Sequence, residues 1–119
     1  MNSKEEKIAD ILTKHYCNSN TAKVLVYLFN FDEARSKDIE RTMNLRQPEV
    51  SIGLKTLKEK NMIYLEPRQK SKGKGRPILM ISLSRTKRKV VNIIVKEINY
   101  KIEKIEKDIE NLKELIKTY

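Results

Sequence analysis

Apolar residues recur along the first sixty positions at helical rather than strand spacing. Ile8, Ile11, Leu12, His15 and Tyr16 follow the i, i+3, i+4, i+7, i+8 pattern, which predicts an amphipathic helix over residues 4–16 with one inward stripe completed by His15. Asn18 to Asn20 interrupt it. Ser19 or Asn20 then suits the cap of a second helix, Thr21–Phe31. Its Ala22, Val24, Leu25, Tyr27, Leu28 and Phe31 are apolar on most sides, so this helix is expected to be buried. Ser36 can cap a short third helix, Lys37–Met43, with Ile39 and Met43 inward; Asn44 suits the left-handed residue past its end, and Leu45 plugs the turn. A fourth helix begins near Gln47, accepts Pro48 in its first turn and runs to about Lys60. Val50, Leu54 and Leu57 point one way. Pro48, Ser51, Ile52, Lys55 and Lys58 or Glu59 point outward, flanked by Glu49 and Thr56. Gly53 is expected to permit close helix–helix approach, at a propensity cost of about 1 kcal/mol.

Beyond Asn61 the pattern changes. Met62 to Leu65 read as a strand, Gly73, Gly75 and Pro77 stop any helix in the loop that follows, and Ile78 to Leu83 form a returning strand. From Thr86 onward there is neither Pro nor Gly. Ile102, Ile105, Ile109, Leu112 and Ile116 alternate spacings of three and four, a coiled-coil seam extended upstream by Ile98, Ile94 and Val91 with one slip between Ile98 and Ile102. With Ile102 at heptad position a, a parallel pair sets Lys101 against the partner's Glu106 and Asp108 against the partner's Lys113, both attractive. The alternative is that this tail packs on the N-terminal helix of its own or the other subunit.

Two short helices joined by a tight turn, the second polar on its outer face, form the pattern of a helix-turn-helix, and two strands around a loop directly after it make a wing. The expected fold class is therefore mainly α with a small β-hairpin (α+β), with residues 1–84 as a winged helix-turn-helix DNA-binding domain and residues 85–119 as a C-terminal dimerisation helix.

Charge sharpens this picture. The chain carries a formal +10, and its distribution is uneven: residues 1–66 hold eleven Lys/Arg and ten Asp/Glu, residues 67–96 hold ten and none, residues 97–119 five and six. One quarter of the chain thus carries the whole surplus. Such a field attracts a polyanion, and neutralising phosphates releases counterions, which makes nucleic acid the leading partner. Arg68, Lys70, Lys72, Lys74 and Arg76 are expected to contact phosphate or reach the minor groove. Arg85, Lys87, Arg88 and Lys89 are ambiguous, because a helix start is a poor place for cations.

Other chemistry is sparse. Cys17 is the single cysteine, which excludes an internal disulfide, and with His15 it supplies two ligands where zinc needs three or four. Both are expected to be structural. No nucleophile–base pattern, phosphate loop or dinucleotide fingerprint is present, so the chain is expected not to be an enzyme and to need no cofactor or metal. Apolar runs fall short of the roughly 20 residues that span a bilayer, and the charged MNSKEEKIAD start lacks a signal peptide's apolar core, so a cytoplasmic protein is expected.

The sequence resembles the winged helix-turn-helix regulators of bacteria and archaea, nearest to the MarR, TrmB and ArsR-like groups. SKDIERTMNLRQPEVSIGLKTLKEKNMIYLE resembles their helix-turn-helix, with QPEVSIGLKTL in place of the recognition helix, and KGKGRPILMISLS resembles their wing. The resemblance covers about half the chain. It implies a homodimeric regulator of transcription, more often a repressor, whose DNA-binding residues would be Lys37, Arg46, Gln47, Pro48, Glu49, Ser51, Ile52 and Lys55 together with the wing cations. Gln47 can bond an adenine edge, Lys55 or Arg46 a guanine edge or phosphate, and Glu49 can accept from cytosine or repel a wrong register. At position 52, where relatives often carry Arg or Lys, Ile either meets a thymine methyl or packs on a neighbouring segment. The dimer interface implied is Val91, Ile94, Ile98, Ile102, Ile105, Ile109, Leu112 and Ile116. Any small-molecule effector would have to bind at that interface. A winged-helix protein-interaction or RNA-binding module is the alternative.

Overall fold

The structure is a computed structural model that describes residues 1–69 and 75–119. Five helices and a two-stranded hairpin follow in the order α1 (Ser3–His15), α2 (Ser19–Asn30), α3 (Ser36–Met43), α4 (Gln47–Glu59), β1 (Ile63–Arg68), β2 (Ile78–Leu83) and α5 (Lys87–Ile116). The α+β class expected from the pattern is present. The helix starts differ in detail. Asn18, ahead of the expected Ser19 or Asn20, caps α2 by accepting the Thr21 N–H at 2.8 Å. Phe31 lies just past the end of α2 and is half exposed instead of buried within it. Arg35, not Ser36, is the cap residue of α3, and because Arg offers no acceptor, Asp38 supplies the carboxylate, bonding the Arg35 N–H and Nε.

Helix α2 runs through the middle of the core. Val24, Leu25, Val26, Tyr27 and Leu28 are buried there, joined by Leu12 and Tyr16 from α1, Ile39 and Met43 from α3, and Val50, Leu54 and Leu57 from α4. The α2–α4 crossing is close because Gly53 has no side chain: a Cβ there would stand 3.1 Å from Val24 Cγ2 and 3.5 Å from the Thr21 Cα. Asn44 adopts the left-handed conformation expected of it (φ 54°), and Leu45 plugs the turn into α4. His15 departs from expectation. It is exposed, and only its carbonyl is used, as the acceptor for Lys101 Nζ at 3.0 Å.

The hairpin is antiparallel, in register from Ile63 opposite Leu83 to Arg68 opposite Ile78. Met62, expected to open the first strand, instead packs fully buried at its foot, with its N–H bonded to the Leu57 carbonyl. The strand continues three residues beyond Leu65 and includes Pro67. Pro is tolerated there because β1 is an edge strand; the other edge, β2, is paired through Ile81 with Ala34 by two 2.8 Å backbone bonds. The hairpin base is therefore anchored to the segment between α2 and α3.

Thr86 caps α5, whose 30 residues correspond to about 45 Å of helix and give the molecule its 74 Å long axis. The core does not stop at residue 84, since Val90 and Ile94 are buried in it and Ile98 packs against its edge. Lys60 fastens the same stretch from α4: its ammonium lies 3.3 Å from the Glu97 carboxylate and 4.5 Å above the Tyr16 ring. Burial, together with Glu97, raises the pKa of the Tyr16 phenol, whose hydroxyl donates to the Met62 sulfur. Burial also raises that of the Cys17 thiol beside it, opposite to what a reactive thiolate requires.

Candidate nucleic-acid interface

Helix α4 is held on its inner side by the α2 crossing and presents the opposite side to solvent. Arg46, Gln47, Pro48, Ser51, Ile52 and Lys55 are all exposed, on consecutive turns at the open end of the helix. Ile52 is 55% exposed, so within the subunit it does not pack on a neighbouring segment, one of the two roles the sequence left open. Glu49 differs from its neighbours. Its carboxylate accepts the Arg46 N–H at 2.8 Å and is only partly exposed, so it serves first as the cap that starts α4. Arg46 is the residue at the cap position and is exposed at the start of α4.

Lys37 stands exposed at the start of α3 and comes together with the hairpin. Arg35, Ser36 and Lys37 share a shallow groove of about 250 Å³ with Ile78 and Leu79 of β2. Sequence alone does not single out Arg35, because a cation between Glu33 and Asp38 in the chain gives no local charge surplus. It is partly spent, lying 3.3 Å from Asp38 and holding that carboxyl below its ordinary pKa.

The wing cations divide. Lys70, Lys72 and Lys74 lie outside the described residues. Arg76 is exposed between Gly75, whose φ of 92° suits only glycine, and Pro77. Arg68 is not a free cation. Its guanidinium binds Glu33 in a two-pronged contact, one prong at 2.9 Å, and reaches Glu66 at 3.3 Å. This bond pulls the Glu33 carboxyl below its usual pKa and fastens the hairpin to the loop ahead of α3. Within the subunit Arg68 thus braces the hairpin, and the phosphate contact expected of it would require it to leave Glu33; Glu33 lies 35 positions away, beyond the reach of sequence spacing, whereas Glu66 is two positions away on the same strand.

Arg85, Lys87, Arg88 and Lys89 are exposed at the foot of the hairpin and in the first turn of α5, and no ion pair involves them among the described residues. They belong to the end of the hairpin opposite the wing loop.

The tail sorts its apolar residues by face. Val90 and Ile94 turn into the subunit's own core, so Ile94 is not available to a seam. Val91 and Val95 are exposed and, with Ile98, Ile102, Ile105, Ile109, Leu112 and Ile116, continue one stripe at unbroken 4, 3, 4, 3 spacing. The slip read from sequence disappears once Ile94 is replaced by Val95. His15 and Cys17 are joined by no third ligand: no cluster able to hold a metal occurs among the described residues, and none of their helices is long and apolar enough to cross a membrane.

No family model matches the chain, and no curated protein matches it in sequence. Solved structures do match. A possible transcriptional regulator from Methanosarcina mazei Go1 superposes with a TM-score of 0.66 at 15% identity, over 89% of this chain and 86% of that one. The YusO protein of Bacillus subtilis gives 0.53 at 18% identity, over 87% and 68%. A single-substitution mutant of S. aureus MepR gives 0.52 at 21% identity, over 97% and 89%. At these identities the likeness is one of fold, and with the helix-turn-helix, hairpin and long terminal helix in place the chain has the winged helix-turn-helix architecture.

Proposed function

We propose that the chain binds double-stranded DNA sequence-specifically as a homodimer and regulates transcription, as a repressor that occludes a promoter. The observation that carries this is the face of α4: a cluster of exposed hydrogen-bonding side chains and one exposed Ile on a helix whose other side is locked by Gly53, next to a hairpin bearing cations. A helix so mounted fits a major groove of about 12 Å width, with Gln47, Ser51 and Lys55 directed at base edges, Ile52 suited to a thymine methyl, and Arg46 and Lys37 near the backbone. The wing would lie on flanking phosphate. In this reading residues 1–84 read DNA, α5 joins two subunits, and half-sites lie about 10 bp or a multiple apart. On this reading the chain acts by binding alone, without catalysis or a cofactor. The M. mazei protein's description as a regulator supports the same reading.

Selection of bound sequences from a random duplex pool tests this, followed by salt titration on the selected site and transcription in vitro from a promoter that contains it. A palindromic site, a steep salt slope and lowered transcription are expected. Equal affinity for random duplex, or preference for RNA, overturns sequence-specific DNA binding in favour of the RNA-binding or interaction-module reading.

A further inference from the structure

Two stripes on α5 lie about 100° apart. One, Val90, Ile94, Glu97 and Lys101, is used by the subunit itself through core burial, the Lys60 pair and the His15 carbonyl. The other is the apolar stripe from Val91 to Ile116, exposed along its length except at Ile98, which packs partly against the core's edge. We infer that this second stripe is covered by the same stripe of a second copy running antiparallel, in the one register that pairs Val91 with the partner's Ile116 and Ile102 with the partner's Ile105. This inference rests on the dimer proposed above and specifies its geometry.

The register follows from the residue numbers. In antiparallel coils an a position meets a d position, and across the whole stripe every such pair adds to 207, so no apolar residue is left over. Flanking g positions then add to 209. Lys101, whose ammonium also reaches its own His15 carbonyl, then stands beside the partner's Asp108, and Leu115, an apolar residue 66% exposed beside the stripe, falls along the edge of the partner's body, where Ile94 itself is turned inward. Arg88 falls opposite the partner's Tyr119, cation against ring.

A parallel pair fares worse on two counts. It sets Arg88 at position a against the partner's Arg88, like charge on like charge. It also stacks Ile on Ile at both a and d, which favours three or more strands over two. Lys101 and Asp108 find opposite charges in either arrangement and do not decide.

Each body covers the c and g positions of its own α5. In an antiparallel pair both g flanks lie on one side of the two-helix layer, so both bodies stand on the same face. The centres of the two packed stripes are then sixteen residues apart along the coil, about 24 Å. The molecule is 26–27 Å across its short axes, so two bodies spaced in this way stand in contact along one face of the coil.

The test uses full-length chains with Cys17→Ser, carrying either Val95→Cys or Leu112→Cys, refolded singly and as a mixture, then oxidised. The expected result is a disulfide-linked dimer in the mixture and none from either variant alone. Self-linked dimers from each variant alone would show parallel pairing and overturn the inference. Sedimentation as a dimer with no linkage in any sample would also overturn it, placing the interface elsewhere and leaving the dimer reading intact. A monomer for the unsubstituted chain would instead remove the dimer reading itself.

Discussion

Helices α2 and α5 are both rich in aliphatic side chains, yet α2 buries Val24 through Leu28 on every side while α5, from Asn99 onward, buries nothing. The difference is position, not composition. Helix α2 is surrounded by α1, α3, α4 and the hairpin, so each of its faces meets a neighbour from the same chain. Helix α5 outruns that neighbourhood after Lys101 and leaves an apolar stripe with no partner in its own subunit. Apolar area therefore stabilises at α2 without reference to concentration, whereas at α5 it does so only on association.

The strongest way to break this contrast is to cut into each helix. Leu25→Ala is expected to lower unfolding free energy by roughly 2–5 kcal/mol, by the lost transfer energy and the cavity left behind, with no dependence on protein concentration in denaturant melts. Ile105→Asp with Ile109→Asp is expected to leave the helical signal largely intact and convert dimers to monomers in sedimentation. An unaltered dimer would place the interface off this stripe. Intermediate in size is the hairpin. Lys72→Glu with Lys74→Glu is expected to weaken DNA binding and flatten its salt dependence, whereas Arg68→Ala, whose cation is already engaged by Glu33, is expected to change affinity less. Equal losses would mean that Arg68 leaves Glu33 to meet DNA.

Gly53→Ala gives a smaller effect, because a gain of about 1 kcal/mol in helix propensity opposes the 3.1 Å approach to Val24. Gly53→Val removes that compensation and is expected to be clearly destabilising by thermal melt. The smallest effect is at Glu33. Its folded pKa lies below its unfolded value, so the Arg68 bond contributes fully above the unfolded pKa and is lost as pH falls through the folded one. Glu33→Gln should therefore melt slightly below the unsubstituted chain at neutral pH and converge with it on acidification; parallel curves would show that the pair carries no linkage.

Most of the architecture was legible in the amino acids. Apolar spacing located α1 to α4 within a few residues, Asn44 and Leu45 marked the turn, and the switch from period 3.6 to a short Gly-interrupted pair of strands marked the hairpin, since these signals act through neighbours three or four positions apart. The exposed face of α4 was legible for the same reason. What escaped were contacts made across the fold. Arg68 reads as a free cation because Glu33 lies 35 positions away, the cap that Glu49 gives the Arg46 N–H is not evident from its place on the outward face, and the seam reads as interrupted because Ile94 and Val95 are both aliphatic.

The sequence by itself determined the elements, their inward faces and the charge surplus, because each depends on local periodicity and composition. Only the tertiary structure decided which cations are already neutralised and which of two neighbouring apolar stripes on α5 belongs to the subunit's core. The physical reason is that pairing and burial depend on which surfaces meet, and one helix can present two apolar stripes about 100° apart of which its own chain covers only one.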